Sequence, residues 1–250
     1  QIFERLNAVY ETREDAGLDA EQGRLTENFH QRFTLAGAAL SEEQREELAK
    51  LNLEISKAQT EFSQQVTRDM NAAALHLTSE EELAGLSEDS KAAAARAAKE
   101  AGREGWLLTF ILPTNQPALS SLTNRDVRKR LYEASVERGD RTWQMAAEIA
   151  ALRARKAAML GFEDFASLAV ADRTARTAAA VDELFAKTSA PAMANANREA
   201  EKIAARAKQD GIDTLEPWDW AFYSDKVKAE GFSVDTAALR PYFALDRVVA

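Results

Sequence analysis

The chain contains no cysteine, and its 250 residues include only two histidines, five prolines and ten glycines. Without cysteine, neither a disulfide framework nor a thiolate metal site is possible. Glycine-rich phosphate loops and the Gly-x-Ser-x-Gly turn of serine hydrolases are also missing from the sequence. These absences exclude several common kinds of catalytic site, and the lack of cysteine fits a reducing, cytoplasmic location.

Positive charge is too sparse for a nucleic-acid-binding surface. The chain has 32 Lys and Arg against 41 Asp and Glu, which gives a formal net charge of -9. Recognition of a phosphate backbone requires a concentrated basic face. The longest uncharged stretch, residues 106–124, contains Pro113 and Pro117 and would leave backbone groups unpaired in lipid. We therefore expect neither nucleic acid nor a membrane as a partner.

Helix is the dominant prediction along the chain, because apolar residues recur every three or four positions and helix-breaking residues are few. The clearest helix begins after Ser41, which forms a capping box with Gln44. Its apolar seam consists of Leu48, Leu51, Ile55, Ala58, Phe62 and Val66. We predict a helix of about 30 residues at 1.5 Å per residue, with the preceding segment 26–40 as the other arm of a helical hairpin.

Two short helices and a small β ribbon are predicted next. Ser79 and Ser87 are placed to cap the short helices. The strand candidates are residues 74–77 and 106–112, which are short, rich in apolar residues and bounded by turn residues. The fold class expected from these patterns is mainly α, a helical bundle or hairpin architecture with one small antiparallel ribbon.

The second half of the chain returns to helix. Asn124 and Thr142 are predicted caps, Gly161 a helix end, and Thr177 the start of a helix that reaches about Gln209. Pro191 lies inside that helix, so we predict a kink or a restart near Ser189. A final helix is expected from Pro217 to about Ala229. We divide the chain into residues 1–105 and 106–250, packed as one compact unit.

The two histidines do not suggest a metal site. His30 and His76 are 46 positions apart, one on a predicted helix and the other on a predicted strand, where it alternates with leucines. Both are predicted to be structural. The clustered glutamates occupy first turns of helices, where the helix dipole explains them. We therefore predict no catalytic residue and no metal ligand in this chain.

An aromatic run, residues 217–223, is the most unusual local feature. Trp218, Trp220, Phe222 and Tyr223 cannot all face one side of a helix at 100° per residue. Three alternatives stay open for these side chains, which are core packing, the lining of a peptide channel and a domain interface. Trp218, Trp220 and Tyr223 are the channel-lining candidates, since Trp and Tyr offer flat apolar faces with a polar handle. Asp219 is placed either to cap the helix or to pair with a basic residue.

Four segments resemble one enzyme family. They are residues 124–135 (NRDVRKRLYEAS), 152–162 (LRARKAAMLGF), 216–223 (EPWDWAFY) and 239–248 (LRPYFALDRV). Together they are similar to the thimet-oligopeptidase-like zinc metallopeptidases, specifically the peptidyl-dipeptidase branch, in the family order over residues 106–250. The first hundred residues match only in character.

The resemblance implies part of a soluble peptidase built from two mostly helical halves around a deep channel. It also implies a zinc cofactor and the removal of C-terminal dipeptides from short peptides. The His-Glu-x-x-His motif that such chemistry requires is absent from this sequence. We expect a fragment: the non-catalytic helical portion, part of the channel wall, whose partner is a missing C-terminal catalytic half. The alternative is a stand-alone helical protein that binds a peptide or a partner without catalysis.

Overall fold

The computed structural model describes residues 2–110, 117–139, 141–231, 239–244 and 246. The fold is mainly α with one two-stranded sheet, as the sequence predicts. The α-helices are α1 (Ile2–Glu11), α2 (Ala20–Leu35), α3 (Glu42–Ala72), α4 (Glu88–Glu100), α5 (Ala118–Ser121), α6 (Arg125–Val136), α7 (Thr142–Met159), α8 (Phe165–Val170), α9 (Ala178–Gln209) and α10 (Pro217–Gly231). The strands are β1 (Leu75–Leu77) and β2 (Trp106–Leu108), and short 3-10 helices occupy Glu80–Leu83 and Arg240–Phe243.

Two compact units are formed by interleaved segments of the chain. The first comprises Gln1–Val66 and Gly139–Pro191, and the second comprises Thr67–Arg138 and Ala192–Ala250. The long helices α3 and α9 each begin in the first unit and end in the second. The division at residue 105 that the sequence favours stays a prediction.

In the first unit, α2 packs closely against α1 through aromatic rings. Tyr10 of α1 stacks on His30 of α2 with ring centroids 3.7 Å apart, and Phe3 stacks on Phe33 at 6.3 Å. The predicted segment 26–40 is wrong in both boundaries. Asp19 caps α2 together with Gln22, because an aspartate oxygen accepts the N3 amide just as a serine oxygen does.

Helix α2 ends before Leu40 because of a tight turn at Gly37. Its φ of 89° is left-handed, and the Ala38 amide donates to the carbonyl of Phe33 at 2.9 Å. A Cβ at Gly37 would collide with a terminal methyl of Leu48, so another residue here would require both a left-handed backbone and a shift of that side chain. The chain then enters α3, where the predicted capping box is confirmed. The Gln44 amide donates to Oγ of Ser41 at 3.2 Å, and the Ser41 amide donates to Oε1 of Gln44 at 3.1 Å.

The seam predicted along α3 is confirmed. Leu48, Leu51 and Ile55 are buried, and the later members of the seam are half-buried. Full burial of a leucine or isoleucine contributes roughly 1.5–3 kcal/mol. These positions therefore fix which face of α3 turns inward.

The second unit contains the main apolar core and the ribbon. Strands β1 and β2 pair antiparallel with Leu75 opposite Leu108 and Leu77 opposite Trp106. The core comprises Leu77, Leu83, Leu86, Ala94, Leu108, Phe110, Leu119, Leu122, Val127 and Leu131. A smaller cluster consists of Ile203, Ala207, Phe222 and Tyr223. The ribbon prediction is confirmed, although its strands are shorter and residues 111 and 112 lie outside the described residues.

Several predicted helix boundaries are confirmed. Ser79 forms its capping box with Glu82, Ser87 caps α4, and Oδ1 of Asn124 accepts the amides of Asp126 and Val127 at the start of α6. Thr177 accepts the amide of Ala180 at the start of α9. Pro217 begins α10, and Gly161 takes the left-handed conformation after α7.

Two boundary predictions are wrong. Thr142 does not cap α7, because it is the first helical residue and its hydroxyl donates to the carbonyl of Gly139. Of the kink or restart predicted near Ser189, the restart does not occur, because α9 continues through Pro191 over 32 residues. The kink stays a prediction. A proline removes one backbone hydrogen bond, and a helix this long keeps the others on both sides of it.

Candidate functional site

The two histidines make structural hydrogen bonds. The Asn7 amide nitrogen donates to Glu11 at 2.8 Å, which turns its oxygen toward His30, and Nε2 of His30 donates to that oxygen at 2.9 Å. Nε2 of His76 donates to the carbonyl of Glu104 at 2.6 Å. A nitrogen that carries a proton cannot bind a metal. In these arrangements the Nε2 atoms of both histidines are engaged in holding the fold together.

The residues present do not fit a zinc site. Zinc in a peptidase is held by three protein ligands, commonly two histidines one helical turn apart and a carboxylate. His30 lies on α2 of the first unit and His76 on β1 of the second. No group of three or more histidine, aspartate or glutamate side chains suited to a metal occurs within the described ranges.

The aromatic run at the start of α10 divides between interior and surface. Phe222 and Tyr223 are buried and meet edge to face with centroids 5.2 Å apart. Trp218 is half-buried, and Trp220 is 42% exposed. The prediction that these side chains cannot share one side is confirmed, because α10 presents large apolar groups on more than one face.

Trp218 lies against α6 beside a small cavity. Its ring meets the ring of Tyr132 at an edge, with centroids 6.2 Å apart, and Nζ of Lys129 lies 5.3 Å from the ring centre. The cavity has a volume of about 330 Å³ and is lined by Arg125, Asp126, Lys129 and Trp218. The indole therefore shares this cavity with charges of both signs, positive on Arg125 and Lys129 and negative on Asp126.

Tyr223 lies in the smaller apolar cluster rather than at a surface. It is 3% exposed and packs with Ile203, Ala207 and Phe222. Burial raises the pKa of its hydroxyl, and the nearby carboxylate of Asp210 raises it further. This burial favours the structural alternative for Tyr223.

Asp219 performs both of the roles that the sequence left open. Its Oδ2 accepts the amide of Glu216 at 3.2 Å, which closes the first turn of α10. The carboxylate is fully buried and accepts hydrogen bonds from two guanidinium groups, Nε and Nη2 of Arg125 and Nη2 of Arg128. Burial alone raises the pKa of Asp219, but the hydrogen bonds outweigh burial and hold it below the usual range.

Arg128 is the largest buried polar side chain in the described residues, and sequence reasoning did not identify it. Its Nη1 donates to the carbonyls of Leu122 and Thr123, and the guanidinium carbon lies 4.2 Å from the ring centre of Phe222. Nε of Arg128 has no acceptor within the described residues. Arg125 and Arg128 stand three positions apart in the sequence, so they share a helical face. The spacing of these two arginines is the sequence signal that could have indicated a shared anionic partner.

A larger cavity in the first unit was not predicted. It has a volume of about 410 Å³ and is lined by Tyr10, Arg24, Glu27, His30, Gln31, Thr34, Leu35, Phe162, Ala171 and Arg176. Arg24 pairs with Glu27 at 3.1 Å, and Nε2 of Gln31 donates to the carbonyl of Ala171 at 2.6 Å. Arg176 takes a left-handed φ of 62°. Most polar groups at this cavity already have partners that hold the local structure.

These features define a helical scaffold with an anchored aromatic helix. The sequence profile of Peptidase family M3 matches residues 118–250, which is more than half of the chain. The chain belongs to this family. The match begins at α5 and includes α6, α10 and the Arg125–Asp219 pair.

Individual relatives extend the similarity to the whole chain. It is 36% identical to the dipeptidyl carboxypeptidase of Escherichia coli over 256 aligned residues, which include 100% of this chain and 38% of that protein. It is 30% identical to the oligopeptidase A of the same bacterium, over 94% of this chain and 36% of that protein. A probable cytosolic oligopeptidase A of Arabidopsis thaliana is 28% identical over 99% of this chain.

The comparisons confirm the resemblance that the four segments indicated. They also extend the resemblance to the first hundred residues, which match the family only in character by sequence inspection. The identity to the dipeptidyl carboxypeptidase exceeds that to oligopeptidase A, as the terminal motifs favoured. The chain spans a little more than a third of the length of these relatives, 38% and 36%.

Proposed function

We propose that this chain is the helical, non-catalytic portion of a zinc-dependent dipeptidyl carboxypeptidase. The whole enzyme removes dipeptides from the C-terminus of short peptides. The observation that carries the proposal is the 36% identity to a dipeptidyl carboxypeptidase along the full 250 residues. Similarity of that extent reflects a shared scaffold, whereas a single shared motif would not.

In this proposal, zinc and the residues that bind it belong to polypeptide beyond this chain. The 250 residues contain only His30 and His76 and no His-Glu-x-x-His motif. We therefore expect the chain alone to hydrolyse no peptide. Its partners are short peptides and the catalytic half that completes the enzyme. The helices present in the described ranges are each too short or too polar to cross a bilayer, and we propose a cytoplasmic location because the chain lacks cysteine.

The contribution of this chain is part of the wall of the peptide channel. Trp218 and Trp220 remain the candidate lining side chains, since each keeps surface available to a ligand. The Asp219 pair with Arg125 and Arg128 fixes α10 against α6 and so fixes where the indole of Trp218 lies. Because a rigid wall is already ordered, less conformational entropy is lost when a peptide binds to it.

The test is a product analysis on the longer polypeptide encoded by the gene. The enzyme is incubated with a peptide of five to eight residues, and the products are identified by mass spectrometry. We expect stepwise release of C-terminal dipeptides, abolished by a chelator and restored by zinc. The same peptide with a C-terminal amide is the control and should be cleaved poorly, because it lacks the free carboxylate.

Other products would contradict the proposal in a specific way. Internal cleavage of both peptides would indicate an oligopeptidase. Chelator-sensitive dipeptide release by the 250-residue chain alone would refute the claim that the zinc site lies elsewhere. A reading frame that ends at Ala250, together with peptide binding but no cleavage, would favour the stand-alone binding protein.

A further inference from the structure

One stretch of α9 is exposed around the whole circumference of the helix. All side chains from residue 182 to residue 199 are exposed. This stretch of 18 residues, or five turns, lies within a helix of 32 residues. In proteins most of the stability of a helix comes from packing an amphipathic face rather than from intrinsic propensity. A covered face is therefore expected on this part of α9.

The part of α9 within the first unit has distinct apolar and polar faces. Val181, Leu184, Phe185 and Thr188 follow one another at helical spacing and share a face. Leu184 is 58% exposed and Phe185 is 62% exposed. We call these four residues the α9 apolar face.

Glu183 lies on the far side of the same turns, and its carboxylate is already paired. Nζ of Lys187 donates to Oε1 of Glu183 at 2.8 Å, and the two residues stand one turn apart. A contiguous patch of large exposed apolar side chains commonly marks a surface that binds another polypeptide. The two faces of α9 thus differ in the environment that each requires.

We infer that the α9 apolar face docks onto further polypeptide of the same peptidase, outside these 250 residues. This inference rests on the proposed function. Two observations select that occupant over a second copy of the chain. Helix α9 lies within residues 118–250, which match the peptidase family, and the chain amounts to only 38% of the length of the dipeptidyl carboxypeptidase to which it is similar throughout. The remainder of such a protein is large enough to cover this face.

The experiment uses the absence of cysteine. Leu184→Cys and Glu183→Cys are made separately in the longer polypeptide, with any cysteine beyond residue 250 replaced by serine. Glu183 is the matched control, because its side chain is 68% exposed and lies on the far side of the helix from the α9 apolar face. The rate of reaction with a small thiol reagent is measured in native buffer and in urea.

We expect Cys at position 184 to react about tenfold or more slowly in native buffer than in urea, since a packed surface must open before it reacts. Cys at position 183 should react at similar rates in both conditions. In the 250-residue chain alone, the two positions should react equally fast. Equal native rates at both positions of the longer polypeptide would overturn the inference.

Two further outcomes would also overturn it. Protection of position 184 in the 250-residue chain that rises with concentration, accompanied by a dimer in light scattering, would make a second copy the occupant. A gene that ends at Ala250 would remove the proposed occupant. Dipeptide release is assayed in the same samples. Dipeptide release without protection of position 184 refutes the docking and leaves the proposed function intact. Protection of position 184 without dipeptide release supports the docking and refutes the proposed function.

Discussion

Arg128 and Asp219 form an ion pair that is shielded from water. Nη2 of Arg128 lies 2.9 Å from Oδ1 of Asp219, and their side chains are 2% and 0% exposed. The pair joins α6 to α10 across 91 positions of sequence. Arg125 adds a second guanidinium, with Nη2 at 2.7 Å from Oδ2. The aromatic helix that carries Trp218 is therefore anchored by charge as well as by apolar packing.

Replacement of Asp219 by alanine should destabilise the protein strongly. Removal of one partner of a buried ion pair leaves an uncompensated charge, here on Arg128, and costs about 3–5 kcal/mol. We expect that reduction in the free energy of unfolding, measured by urea denaturation. Asp225→Ala on the exposed side of the same helix is the control and should change stability by less than about 0.5 kcal/mol. Equal effects of the two substitutions would contradict a structural role for the pair.

Asp210 should make the stability dependent on pH in acid. Hydrogen bonds from Arg206 and Lys226 lower the pKa of Asp210 from 3.8 to about 2. Because the pKa is lower in the folded state, this stabilisation is complete above the unfolded pKa and is lost as the pH falls through the folded value. We expect the native chain to be more stable than Asp210→Asn at pH 5, and the difference to shrink toward pH 2.

The measurement for Asp210 is the urea midpoint of both proteins over this pH range. Carbon-detected NMR of the Asp210 carboxyl group provides an independent titration. A difference between the two proteins that stays constant with pH would show that the carboxylate contributes no charge-dependent stability.

Gly85 should not tolerate a side chain. Its φ is 94°, and an added Cβ would collide with the carbonyl oxygen of Ser121 and contact Thr123. Gly85→Ala is expected to cost about 1–2 kcal/mol for the left-handed backbone and about 1–3 kcal/mol more for the collision. Gly102→Ala is the matched control, because Gly102 has a φ of 68° with open space around its Cβ position. Thermal unfolding should show a larger loss for Gly85→Ala, and equal losses would exclude the steric contribution.

Trp218 should affect peptide binding more than stability in the longer enzyme. An indole contact is worth about 0.5–1.5 kcal/mol, so Trp218→Ala should raise the KM by about two- to tenfold while the Tm changes little. Tyr223→Phe is the control, because its ring is buried and the substitution keeps it. A lowered Tm with an unchanged KM would assign Trp218 to the core instead.

Local signals made much of the fold predictable. Ser41 with Gln44 and Asn124 at the start of α6 are short-range capping arrangements, and the structure confirms them. The missed start of α2 was also local, because Asp19 and Gln22 form an equivalent box. Thr142 failed as a cap because its hydroxyl had a competing acceptor, the carbonyl of Gly139, which the sequence pattern does not reveal.

By itself the sequence determined the helical class, the starts of α3, α4, α6, α9 and α10, the small ribbon and the family. Each depends on residue types a few positions apart, whose backbone hydrogen bonds and apolar spacing are fixed by local geometry. Only the tertiary structure decided that Asp219 pairs with Arg128, that Tyr223 is buried while Trp220 is exposed, and that α9 presents Leu184 and Phe185 to solvent. Those facts depend on which elements meet in space. The residues next to a charged or aromatic side chain in the sequence do not show which distant residue it will contact.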